Sequence, residues 1–161
     1  MYVGVISDTH DNVPMIKKAT SIFRKKKVEH MIHAGDFVAP FSMEALLEPG
    51  IPFIGVFGNN DGERKGLSSL CDTLYEPPHR FELGGRTIVL THDPEALTDD
   101  ATADAHVVIH GHTHGTKVEE GPPLVLNPGE AGGWVSGRCT VAFLDLDSLQ
   151  VELIDLEDGG N

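Results

Sequence analysis

An α/β fold, with two β-sheets face to face and helices outside, is predicted by three features of this chain. Its first half alternates short apolar runs with segments of helical period. Its second half is a succession of short strand-like runs with almost no helix between them. Neither a linker nor a repeat nor a low-complexity segment separates the halves, so a single domain over residues 1–161 is expected.

Residues 1–6 form an apolar run that reads as a buried strand. Asn12 can cap a helix over residues 13–26, where Ile16, Ala19, Ile22 and Phe23 recur at helical spacing. The basic run 24–27 then falls at the helix C-terminus, where the macrodipole favours cations. Residues 30–34 read as the next strand, and a helix over 41–47 is stopped by Pro49-Gly50. A third strand over 52–57 is followed by a helix over 63–71. This β-α-β-α-β-α order implies parallel strands joined by right-handed crossovers. Beyond it, residues 80–83 and 86–91 flank Gly84-Gly85, a hairpin signal. Residues 107–109, 124–126, 139–144 and 149–156 read as further strands, with a second hairpin turn at 145–148. The tail from Leu156 to Asn161 is expected to fray.

Composition narrows the function. With 40% hydrophobic and 23% charged residues, the chain can bury a core without staples. A formal net charge of -13 argues against general affinity for duplex nucleic acid, which depends on Lys and Arg neutralising phosphates. Cys71 and Cys139 lie far apart and outside every polar motif, and read as small buried apolar residues. The chain enters its first strand without a basic leader. No apolar stretch approaches the ~20 residues needed to cross a bilayer. A cytoplasmic protein without a membrane partner is expected.

Five polar motifs follow apolar runs: Asp8-Thr9-His10, Gly35-Asp36, Gly58-Asn59-Asn60-Asp61, Thr91-His92 and Gly111-His112-Thr113-His114. In an open α/β sheet, ligands collect outside the carboxyl ends of the strands, where these motifs fall. Asp8 and His10 are two apart and so project to one side, as do His112 and His114. The motifs supply Asp8, His10, Asp36, Asn59, His92, His112 and His114. That mixture of imidazoles, carboxylates and an amide suits two adjacent divalent ions better than one structural zinc. Singly, each motif is weak. Asp-x-His is uninformative, Gly-Asp after a strand is usually a turn, and an isolated histidine is usually a core or surface residue. The last reading applies to His30, His33, His79, His106 and His110.

As an ordered set the motifs resemble those of the calcineurin-like metallophosphoesterases. The small size, the opening Ile6-Ser7-Asp8-Thr9-His10-Asp11-Asn12 and the later Asn127-Pro128-Gly129 are similar to the compact, cap-free bacterial and archaeal phosphodiesterase branch. The resemblance covers about residues 1–129 and implies a four-layer αββα sandwich of two mixed β-sheets. It implies that Asp8, His10, Asp36 and His114 hold a first ion, and that Asp36 (bridging), Asn59, His92 and His112 hold a second. Asp36, His10 and Asn59 are then the catalytic group. Mn²⁺ is the first choice, with Ni²⁺, Fe, Zn²⁺ and Mg²⁺ also suited. The implied reaction is attack on a phosphate ester by a hydroxide bridging two metals ~3.5–4 Å apart. The implied partner is a small phosphate-ester substrate, with a homo-oligomer also open. Phosphomonoester or nucleotide hydrolysis is the nearest alternative. A non-catalytic scaffold of the same fold, known in a eukaryotic trafficking subunit that has lost parts of its site, is the rival class. The intact seven positions favour catalysis, and the chain has no room for the capping domains of the related DNA-repair nucleases.

Asp11 and Asp61 are expected to orient imidazoles. Three neighbours depart from the family pattern. Asn60 stands where many relatives carry a leaving-group histidine. It can hydrogen-bond substrate but cannot donate a proton as an acid, which favours acidic leaving groups such as aryl phosphodiesters. Asp93 replaces a common glycine and is tolerable there if the backbone needs a positive φ. Glu130 replaces a common serine, and its carboxylate would repel an anionic substrate unless turned to solvent.

Overall fold

Strand β1 (Tyr2–Ile6) shows how the layers arise. Val3 and Val5 point to one side and Ile6 to the other, and all three are fully buried, so this strand must be covered on both faces. The same holds across β2 (His30–His33), where Ile32 and Met31 face opposite cores. These relations come from a computed structural model, which describes residues 1–157.

Six strands make the first sheet, in the order β11-β10-β1-β2-β3-β4. β1, β2, β3 (Phe53–Val56) and β4 (Leu74–Tyr75) run parallel. β10 (Thr140–Asp145) and β11 (Val151–Asp155) add antiparallel strands beside β1. The second sheet has the order β5-β6-β7-β9-β8. Its centre, β6 (Arg86–Leu90), β7 (Val107–Ile109) and β9 (Leu124–Pro128), is parallel. Antiparallel edges β5 (His79–Leu83) and β8 (Thr116–Glu119) complete it. Both sheets are therefore mixed, as the family resemblance implied.

Between the sheets lies an aliphatic core that includes Val3, Val5, Ile32, Ile88, Ile109, Leu126 and Leu144. Outside the first sheet, α1 (Val13–Lys25), α2 (Pro40–Leu47) and α3 (Arg64–Leu70) cover a second core around Phe23, Met31, Phe37 and Met43. The outer face of the second sheet buries Val89, Ala105 and Val108 against Leu97, beside a 3₁₀ turn (Pro94–Ala96) and the single-turn α4 (Asp99–Thr102). That fourth layer is thin because two turns are all the chain places between β6 and β7.

Asn12 caps α1 through its side-chain oxygen, which accepts the Met15 N–H, and Arg24 and Lys25 occupy the last turn. Strand and helix bounds fall within one or two residues of those expected, with four additions: β4, β8, the 3₁₀ turn and α4. β8 is exposed along its whole length, so it carries no apolar alternation to reveal it. Leu156 is not frayed. It is fully buried, and its N–H donates to the Cys139 carbonyl at 2.7 Å. Residues 158–161 of the expected tail lie outside the described chain. Cys71 and Cys139 are buried and free. Among the described residues, no helix is long and apolar enough to cross a membrane.

Candidate metal centre

The seven candidate ligands converge where β1, β2, β3, β6 and β7 end. They do not converge by strand pleating, as their spacing had suggested. Asp8 (φ 52°), His10 (φ 40°), Asp36 (φ 63°), His112 (φ 67°) and His114 (φ 61°) all sit in the left-handed region. Asp and His are among the non-glycine residues that tolerate it, and such strain collects at functional sites. The chain ends each strand and curls back, aiming successive polar side chains at one point.

Asp36 is at the centre. Its Oδ2 lies 3.4 Å from His10 Nε2 and 3.4 Å from His92 Nε2. On one side, Asp8 Oδ1 lies 3.8 Å from His10 Nε2 and 3.4 Å from His114 Nε2. On the other, His92 Nε2, His112 Nδ1 and Asn59 Oδ1 form a triangle with sides of 2.9, 3.0 and 3.2 Å. Within the first group, Asp8 Oδ1 and His10 Nε2 are buried and have no hydrogen-bond partner. Buried polar atoms are almost always satisfied, so converging orphans of this kind fit a divalent cation. Asp8, His10 and His114, and likewise Asp8, Asp36 and His92, bring their ligand atoms within 4.8 Å of one another.

Surrounding bonds prepare these atoms. A carbonyl can only accept, so His92 donates its Nδ1 proton to Ala34 O at 2.8 Å, leaving the Nε2 lone pair for the site. Asp8 Oδ2 accepts from Ser7 Oγ at 2.5 Å and from the His112 N–H at 3.1 Å, leaving Oδ1 free to face the imidazoles. Burial alone would raise the Asp8 and Asp36 carboxyls. For Asp8 the contacts with His10 and Ser7 outweigh it, and for Asp36 those with His92 and Asn60 do, so both stay ionised below the usual range. Asp8 raises His10 in turn, and Asp36 overcomes the desolvation of His92.

Several neighbours do something other than expected. Asp61 does not touch an imidazole. Its carboxylate accepts the N–H groups of Gly58 (2.7 Å), Asp36 (3.0 Å) and Val38 (2.8 Å), joining two ligand loops. Burial raises its pKa. Asp11 likewise accepts from Ala39 N–H and Ser42 Oγ at the start of α2. Short side chains at turns reach backbone before they reach a ring. Asn60 turns to Asp36 rather than outward, donating from its side chain to Oδ2 and from its backbone to Oδ1, each at 2.8 Å. Asp93 needs no positive φ: at φ -94° it caps the 3₁₀ turn through Glu95 N–H. Glu130 is not turned to solvent. It is fully buried and turned inward to backbone N–H groups and His114.

The five histidines read as structural stay outside the ligand set. His79 stacks on Tyr75, with ring centroids 3.7 Å apart, and His106 Nδ1 accepts the Thr87 N–H. His110 is buried beside Asn127, and His30 is half-buried in β2. His33 Nε2 meets Thr9 Oγ1 in the loop between Asp8 and His10, and burial drives its pKa down to about 3. Two supporting roles went unread in the sequence. Asn127 donates to Gly111 O and Thr113 Oγ1, pinning the turn that carries His112 and His114. Trp134, 68% exposed, donates its indole N–H to the His10 carbonyl at 3.1 Å.

Carboxylates, oriented imidazoles and an amide gathered on strand ends of a two-sheet α/β fold make a candidate metal-binding site. The calcineurin-like phosphoesterase superfamily domain matches residues 1–149, and the chain belongs to that superfamily. It is 36% identical over 166 residues to a phosphodiesterase of Methanocaldococcus jannaschii, covering 98% of this chain and 100% of that protein. A solved archaeal phosphodiesterase superimposes with a TM-score of 0.87 at 34% identity, over 96% of this chain and 99% of that one. A phosphoesterase from E. coli shares the fold, with a TM-score of 0.71 at 22% identity over 97% and 100% of the two chains.

Proposed function

We propose that this protein is a divalent-metal-dependent phosphodiesterase acting on small phosphate esters in a cytoplasmic setting. The observation that carries the reading is Asp36 Oδ2, which is equidistant from His10 and His92 and so joins the two ligand groups. Asp8, His10, Asp36 and His114 would hold one ion, and Asp36, Asn59, His92 and His112 the other, with Mn²⁺ the first choice. When bound, two such ions supply Lewis acidity and lower the pKa of a water nucleophile.

The chain's own residues do the rest. Asp8 and Asp36 are buried and bring negative charge to the floor of the site, while Asn59, Asn60 and His112 are exposed at its rim. An ester therefore meets the imidazole and amide edge first and is oriented there. Asn60 is occupied with Asp36 and carries no acidic proton, so it offers the leaving group none. Diesters with acidic leaving groups suit such a site best.

Hydrolysis of bis(p-nitrophenyl) phosphate with Mn²⁺, against p-nitrophenyl phosphate and a chelated control, tests this. The diester should be the better substrate, and chelation should abolish turnover. Asp36→Asn should lose both ions and cut kcat/KM by at least about 100-fold, because one carboxylate serves both positions. No turnover with any divalent ion would favour a protein-binding scaffold. Full metal content and activity in Asp36→Asn would refute the shared-ligand assignment.

A further inference from the structure

Glu130 is a carboxylate with no exposed surface, in a place where a buried charge must have partners. It follows β9, and its own N–H donates to the His114 carbonyl at 3.3 Å. The side chain accepts the backbone N–H groups of Val135, at 3.1 Å, and Ser136. Its Oε2 lies 3.4 Å from His114 Nδ1, an atom that is buried and has no hydrogen-bond partner. The opposite ring nitrogen, Nε2, is 3.4 Å from Asp8 Oδ1. His114 is thus held between two carboxylates, one inside the candidate metal centre and one behind it.

A neutral imidazole carries one proton, and both ring nitrogens of His114 face a carboxylate; Glu130, which two backbone donors fix in place, draws the proton to Nδ1 against the pull of Asp8. With Glu130 at Nδ1, the lone pair is left on Nε2, directed at Asp8. We propose that Glu130 is a positioning residue that locks His114 in the Nδ1–H tautomer, so that Nε2 is available to the first ion. This rests on the metal reading above and adds to it a residue outside the ligand set. It also explains why a buried acid at this position does not repel an anionic substrate: its charge is spent on two backbone donors and one ring.

Glu130→Gln separates this role from simple packing. The amide has the same shape but one acceptor oxygen. Two backbone N–H groups need that oxygen, so the NH₂ group turns to His114 Nδ1. A donor there moves the ring proton to Nε2, where it blocks a metal. Loss of such an outer partner typically weakens metal binding about 10–100-fold.

Equilibrium dialysis against Mn²⁺ tests the proposal on the wild type, Glu130→Gln, His114→Ala and the double variant. The wild type should bind two ions. Glu130→Gln should weaken one of them by about 10–100-fold and leave the other within about twofold. In the His114→Ala background, Glu130→Gln should add nothing, since its effect runs through that ring. Two ions bound as tightly as in the wild type, or additive losses in the double variant, would overturn the role of Glu130 while leaving the metal reading intact. A wild type that binds no Mn²⁺ would overturn both. A second measurement reads the ring directly. ¹⁵N NMR of the chelated wild type and Glu130→Gln at alkaline pH should show a larger Nδ1–H fraction for His114 in the wild type, and equal fractions in the two would refute the proposal.

Discussion

At the scale of single residues, environment rather than residue type assigns each role. His33 ends β2 in the first sheet and His92 follows β6 in the second, yet one is structural and the other a candidate ligand. Gly35 N–H donates to His33 Nδ1, so the ring proton sits on Nε2 and meets Thr9 Oγ1. Both nitrogens are used and the ring is held neutral, with a pKa of about 3 produced by burial. The unfolded chain takes up a proton near pH 6.5 that the native ring refuses. His33 therefore favours the unfolded state increasingly as pH falls from about 6.5 towards 3, by about 1.4 kcal/mol per pH unit. His33→Gln should remove that slope. Denaturant unfolding of chelated wild type and variant between pH 6.5 and about 4.5, above most carboxyl titrations, should show their stabilities converging as pH falls. A pH-independent difference would refute the assignment.

At the scale of elements, the site is a set of tight loops pressed together, and its tolerance is set by space. Gly111, between β7 and His112, has no left-handed φ, so alanine is conformationally acceptable there. A Cβ would nevertheless stand 2.6 Å from Asp8 Oδ2, 3.2 Å from Ala34 O, and closer still to Ser7 Oγ. Gly111→Ala must push the His112–His114 turn away from Asp8. The expected cost is about 1–3 kcal/mol of stability, as for other overpacked positions, together with weaker Mn²⁺ binding. A urea midpoint and metal affinity equal to the wild type would show that the loops yield more readily than this packing implies. The loop after Glu130 is tied in the same way: Asn12 donates to Gly132 O and Trp134 donates to His10 O. One buried acid thus anchors both a candidate ligand and the rim segment next to it.

At the scale of the whole molecule, two sheets and three outer helices bring five strand ends to one edge, where the ionised carboxylates Asp8 and Asp36 are buried together. Imidazoles and hydrogen-bond donors already favour their ionised forms, and in a chain of net charge -13 a bound cation adds further attraction at that point. Metal should therefore stabilise the protein as well as activate it. Mn²⁺ at about 100 times its Kd adds about 2.7 kcal/mol. For a chain of this size that corresponds to a rise in Tm of about 5–10 °C over the chelated protein. Calorimetric scans with chelator and with excess Mn²⁺ measure it, and identical midpoints would argue against a resident ion.

Sequence alone was enough for the two-sheet architecture and for the list of metal-friendly side chains. Both depend on local signals: apolar runs, helical periodicity, and polar motifs that follow strands. Strand β8 escaped because an exposed edge strand buries nothing and so leaves no pattern, and β4 because two residues are too few to show one. The tasks of Asp11, Asp61, Asn60 and Glu130 were equally hidden. A carboxylate or amide in a loop reads the same whether it meets water, substrate, backbone or a ring. Only tertiary packing decided that Asp61 joins two loops, that Asn60 clasps Asp36, and that Glu130 stands behind His114. Those partners lie 16 to 25 residues away along the chain and meet only when left-handed turns fold the strand ends inward.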